Sequence, residues 1–249
     1  MTMPTTVTDR TAAAGPTTKP MTGPLWRLMP LVPLVFAVVA WLQNTVFHVD
    51  NTFFREGVAG VAALICVTLV WLAPRSRDLA GRRWLWALVV AFAMSMIGDL
   101  FLNNHTGNWG FIAGIFFFLL AHLGFWAYAA SRVKFSWPIL IVIAVALLAL
   151  YFLVFLPSPG LSGNHALAIA VLAYLLVSCC SLTASIDRQS RSAARWVYTA
   201  GIFSLVISDA LIAFNEFVGN QAVAPAIMPL YYLCHILVAW SVTLEFARR

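Results

Sequence analysis

A chain of 249 residues with 62% hydrophobic and 10% charged side chains, at a mean hydropathy of +0.88, has too few charges to coat a water-facing surface, where roughly 25% is usual. Lipid is the natural solvent for most of its length, which excludes an ordinary soluble domain. The net charge of +6 does not imply nucleic acid, because the basic residues fall in short clusters between apolar runs and form no stripe interleaved with aromatics.

In chain order, residues 1–23, rich in Thr, Pro and Ala, read as a disordered cytoplasmic tail, and 24–249 as one transmembrane domain. The first apolar run opens at Leu25 without a clear small-x-small cleavage site, so a retained helix is expected there rather than a signal peptide. Apolar runs follow near 25–45, 57–73, 84–103, 109–130, 136–156, 165–185, 195–215 and 225–246. Each is close to the ~20 helical residues that cross a hydrocarbon core of ~30 Å. Backbone groups in hydrocarbon must satisfy one another, so these runs are helices. Cys66, Cys179, Cys180 and Cys234 all lie inside them without ligand spacing and read as inert buried thiols.

Charge sets the orientation. Arg10, Lys19 and Arg27 precede span one; Arg75, Arg77, Arg82 and Arg83 separate spans two and three; Arg132 and Lys134 follow span four. Arg188, Arg191 and Arg195 follow span six, and Arg248 and Arg249 come after span eight, while the remaining connectors hold only Arg55. Every second connector is basic, as the positive-inside rule requires. The expected architecture is an all-α, multi-pass protein of the cell membrane, with eight transmembrane helices and both termini cytoplasmic.

Two stretches resemble one another. Span three carries SMIGDLFLNN with Asp99, and span seven carries SLVISDALIAFN with Asp209; spans four and eight carry LLAHLGFWA and YLCHILVAW, around His122 and His235. Each histidine follows its aspartate by one helix, 23 residues on in one half and 26 in the other. The pattern suggests two four-helix halves in parallel orientation.

An ionised carboxylate at mid-bilayer costs at least ~2.5–3.5 kcal/mol, which makes intramembrane Asp and His candidates for function. Asp99 and Asp209 each lie about fifteen residues from the cytoplasmic start of their spans, roughly 22 Å of rise, and are expected in one layer. Asn103 follows Asp99 by one turn and Glu216 follows Asp209 by two. Tyr231 and Tyr232 fall near the same level, His235 a turn deeper, and His122 deeper still. Each has a bland reading: a carboxylate bonded to a neighbouring helix, a structural histidine, a tyrosine of the interfacial belt. The combination points further. Two carboxylates close together in low dielectric titrate as a coupled pair and supply an acid and a base for acid-catalysed hydrolysis. No GxSxG or HExxH motif is present.

The set GD in span three, FFFLLAH in span four, SD followed by Asn in span seven, and YYxxH in span eight resembles the lysoplasmalogenase (YhhN-like) family in order and spacing over residues 57–246. The resemblance implies a membrane hydrolase that cleaves the vinyl-ether bond of lysolipids to a fatty aldehyde and a glycerophospho-alcohol. It implies roles for Gly98, Asp99, His122, Ser208, Asp209, Asn215, Tyr231 and Tyr232, which stand at motif positions. Arg55-Glu56-Gly57 replaces the Lys-Pro pair associated with the start of span two, and His235 stands where Gln is expected; both bear on head-group choice and activity. The expected site has Asp99 and Asp209 as the catalytic pair, with His122, Asn215, Tyr231, Tyr232, His235, Asn103 and Ser208 around a lysolipid, and needs neither metal nor cofactor. A small-solute or proton-coupled carrier is the rival, since paired intramembrane carboxylates serve there too. A retinal-type photoreceptor is excluded, because Lys19 and Lys134 both lie outside the spans.

Overall fold

The computed structural model describes residues 79–104, 107–131, 136–188 and 192–246, with positions 35, 38, 39 and 42 of an earlier helix. The expected tail, span two and most of span one lie outside the described residues, as do Cys66, His48, His105 and Arg55.

The described residues fold into six long helices and no β-strand. They are α1 (Leu79–Asn104), α2 (Asn108–Ala130), α3 (Trp137–Leu150), α4 (His165–Asp187), α5 (Ser192–Val218) and α6 (Ala224–Phe246). Helix α3 runs on through one wide π turn, Tyr151–Phe155. All six are long and apolar enough to cross a membrane, and they match expected spans three to eight to within a few residues.

Two tight hairpins dominate the packing, α1 on α2 and α5 on α6. Lipid offers helices no hydrophobic reason to associate, so close approach at small residues does the work. At Gly124 a Cβ would lie 2.6 Å from the Ala87 carbonyl oxygen, and at Gly98 it would lie 2.8 Å from the Phe118 ring. Gly201 does the same for α5, where a Cβ would lie 3.2 Å from the Cys234 carbonyl. Gly124→Ala is therefore expected to destabilise the fold. Overpacking costs ~1–3 kcal/mol, and the ~1 kcal/mol by which Ala outranks Gly in a helix offsets only part of it. Reversible unfolding in mixed micelles measures this, and unchanged stability would mean that α1 and α2 part freely.

Helix α4 joins the hairpins, packing on α2 and α5, and α3 lies outside against α4. Trp137–Leu150 contains no buried residue, and Ile141, Val142 and Val145 face outward. A helix apolar all round and covered on one side is suited to lipid. Asn164 caps α4, its side chain accepting from the Leu167 amide. Helix α6 runs on through Pro229. The hydroxyls of Ser204 and Ser208 on α5 donate to the Leu230 and Ile227 carbonyls on either side of it, at 2.6 and 2.9 Å. Hydrogen bonds between helices help to hold membrane bundles together, and these two fix α6 against α5 just before Tyr231.

Candidate active site

The two hairpins grip each other through their carboxylates. Asp99 on α1 accepts a hydrogen bond from the Tyr231 hydroxyl on α6 at 2.9 Å. Asp209 on α5 meets His122 Nε2 on α2 at 3.1 Å. The first helix of each hairpin thus reaches the second helix of the other.

His122 was expected deeper than the aspartates, yet it meets Asp209 directly. The reason is helix direction. Contacts of Tyr198 with Phe125, Asp209 with His122 and Phe217 with Phe111 show α5 and α2 running antiparallel. Side chains lean toward the N-terminus of their own helix, so on antiparallel helices His122 and Asp209 lean toward each other and close a gap that rise alone would leave.

A second donor reaches Asp209. The Tyr174 hydroxyl on α4 donates to Oδ2 at 2.5 Å, the oxygen that also faces His122. Tyr174 and His122 stand edge to face, ring centroids 5.1 Å apart. His122 is fully buried, and its Nδ1 has no partner among the described residues. The tautomer with hydrogen on Nε2 leaves no buried donor unpaired, so His122 donates to Asp209. Hydrogen bonds to a charged group contribute ~1.5–3 kcal/mol each. Asp209 accepts two bonds, both inside the bundle, where a carboxyl group without partners is costly.

Asp209 keeps 13% of its side-chain surface, and it lines a partly open apolar cavity. Leu102, Ile115, Phe118, Val171, Ile212 and Phe217 are among its walls, and Asp209 and Tyr174 are the polar side chains in its lining. Phe118 also packs against Tyr231, centroids 6.0 Å apart, and so lies between the cavity and the partner of Asp99.

The remaining expected residues divide. Tyr231 and Tyr232 are buried in the core beside His235. His235 Nδ1 donates to the Tyr231 carbonyl one turn back at 2.9 Å, and its ring lies 4.4 Å from that of Tyr231, centroid to centroid. It supports Tyr231. Ser208 holds α6, as described above. Asn215 donates to the neighbouring Glu216 at 2.8 Å in an exposed pair, apart from the Asp209 contacts. Asn103 lies in the last turn of α1, with its side chain outside the described ones. Among the described residues no three His, Cys, Asp or Glu side chains are grouped to hold a metal ion.

Tyr174 was not among the expected residues. A tyrosine nine residues into span six, far from either interface, was the available signal, since belt tyrosines cluster at span ends.

The lysoplasmalogenases of Mycobacterium bovis and Mycobacterium tuberculosis are each 30% identical to the chain over 190 residues, 72% of this chain and 66% of the relative. The chain therefore spans just under two thirds of their length. No solved structure matches. A sequence model of the YhhN family matches residues 55–242, which include Asp99, His122, Tyr174, Asp209 and Tyr231, and the chain belongs to that family.

Proposed function

We propose that this protein is an intramembrane hydrolase that cleaves the vinyl-ether bond of lysoplasmalogen-type lysolipids, releasing a fatty aldehyde and a glycerophospho-alcohol. The observation that carries the reading is Asp209, held by Tyr174 and His122 in the wall of an apolar cavity suited to an alkenyl chain. The named relatives favour it over a carrier.

In the reaction a proton adds to the vinyl carbon remote from oxygen, giving an oxocarbenium ion. Water attacks the carbon bonded to oxygen and loses a proton, and the hemiacetal collapses to aldehyde and alcohol. We assign proton delivery to Asp99, with Tyr231 orienting it, and stabilisation of the cation and activation of water to Asp209. Two carboxylates divide such work in glycoside hydrolysis. Protonation consumes one proton and hemiacetal formation returns one, so the pair still holds one proton, moved from Asp99 to Asp209, and proton exchange with water restores it to Asp99 before the next turnover; neither metal nor cofactor is needed.

The wider architecture belongs to the same proposal: a tail at 1–23, eight spans in 24–249, both termini cytoplasmic in the cell membrane, and two parallel four-helix halves. The reciprocal bonds Asp99 to Tyr231 and Asp209 to His122 support the repeat, because they join equivalent helices of the two hairpins. The basic connectors support the orientation.

The test is a panel of vinyl-ether and alkyl-ether lysolipids, presented to purified protein in ¹⁸O-labelled water with an aldehyde trap. The expected result is aldehyde from vinyl-ether lipids alone, carrying the label at its carbonyl oxygen. Absence of aldehyde from every vinyl-ether lipid would overturn the hydrolase and return the carrier to first place.

A further inference from the structure

Tyr174 comes from α4, a helix outside both hairpins, and it reaches Asp209; Asp99 takes its tyrosine from α6. The two carboxylates, alike in sequence setting, are thus bonded differently. Tyr174 and His122 both converge on Oδ2 of Asp209, and Oδ1 has no hydrogen bond among the described residues. Asp209 and Tyr174 line the cavity, so the oxygen left without a donor belongs to the carboxylate that a substrate would meet. A phenol keeps its proton near neutral pH and can only donate to a carboxylate. An O–H···O contact of 2.5 Å lies at the short end of the range for an ionised acceptor.

Resting on the lysoplasmalogenase reading, we propose that Tyr174 is a positioning residue. It clamps Oδ2 of Asp209 together with His122, so that Oδ1 is presented to the oxocarbenium ion and the attacking water, and it thereby separates the role of Asp209 from that of Asp99. His122 alone does not fix a carboxylate, which can swing about one bond. A second donor from another helix removes that freedom. Among the described residues, His122 from α2 and Tyr174 from α4 bond to Asp209, and the thiol of Cys234 from α6 lies within its electrostatic reach. Of these, Tyr174 is the one that also shapes the cavity wall.

Tyr174→Phe removes the hydroxyl and keeps the ring. In purified, reconstituted protein kcat on a vinyl-ether lysolipid is expected to fall roughly 10- to 100-fold, the size of a misplaced catalytic group, with KM changed less than about threefold because the wall is intact. Tyr174→Leu, lacking ring and hydroxyl, is expected to lose as much in kcat and to raise KM as well. Infrared difference spectra between each protein and its Asp209→Asn counterpart isolate the Asp209 carboxylate stretch. That band is expected to move in Tyr174→Phe and to stay in place in Tyr231→Phe. An active wild type with unchanged kcat or an unmoved band in Tyr174→Phe would overturn the inference alone. A wild type inactive on every vinyl-ether lipid would overturn the hydrolase and this role with it.

Discussion

Asp209→Asn is expected to lower kcat/KM on a vinyl-ether lysolipid by about 10²- to 10⁴-fold, the range for removing a positioned acid or base. At ~1.4 kcal/mol per decade this is ~3–5.5 kcal/mol of transition-state stabilisation. The substitution keeps the shape. The amide oxygen can still accept from the Tyr174 hydroxyl, but a neutral amide neither stabilises a developing cation nor takes a proton from water. Asp99→Asn is expected to lose as much by a different route, because the amide has no acidic proton to deliver, while the Tyr231 hydroxyl still finds an acceptor. Both variants should remain folded, since replacing a buried carboxylate removes the desolvation cost along with the charge-assisted bonds. The double variant should be scarcely worse than either single one, because residues that act as a unit are strongly non-additive. Single-turnover aldehyde release measures all three. Release that survives both substitutions would exclude the carboxylate pair and leave the cavity as a lipid-binding site only.

The helices were legible because hydrocarbon imposes one simple rule. A run such as 84–103 has to be a helix of about that length, and α1 is one, Leu79–Asn104. The carboxylates were legible for the same reason, since Asp99 and Asp209 are costly where they lie and demand partners. The identity of those partners was less accessible. Tyr231 could be placed level with Asp99 by counting rise, and its bond to Asp99 follows. The contact of His122 with Asp209 was not legible, because the lean of side chains on antiparallel helices does not enter a count of residues. The mid-span position of Tyr174 was a signal, but its partner was not legible, because which helices become neighbours is decided by packing at Gly124, Gly98 and Gly201 and by α4 lying between the hairpins. Ser208 stands beside Asp209 in sequence, yet on a helix adjacent residues point about 100° apart, and it turns instead to the Ile227 carbonyl.

Arg188 shows the same limit at the other end of the bundle and leads to the second large expected effect. In the sequence it counts among the basic connector residues after span six. In the fold it is 1% exposed and paired with Glu245, itself 3% exposed, from the last turn of α6. The guanidinium lies over the Tyr128 ring, 4.1 Å from its centroid, and within 5.0 Å of that of Tyr198, while the Tyr128 hydroxyl donates to Glu245 at 3.3 Å. Burial pushes the Arg188 guanidinium down, but Tyr128, Glu245 and Tyr198 outweigh it and hold its pKa above the ordinary value. One charge pair therefore draws together α2, α4, α5 and α6. Removing either partner strands a buried charge, at about 3–5 kcal/mol, whereas replacing both by apolar groups of similar volume is often neutral or better. Glu245→Leu and Arg188→Met are each expected to lose about that much stability to unfolding by SDS in mixed micelles, and the double variant to recover most of it. Neither residue lines the cavity at Asp209, so the double variant should keep aldehyde release close to that of the parent. Two single variants within ~0.5 kcal/mol of the parent would instead make the pair an ordinary solvated surface contact. On the expected outcome, a residue that the sequence places among the basic connectors becomes part of the core once the helices assemble.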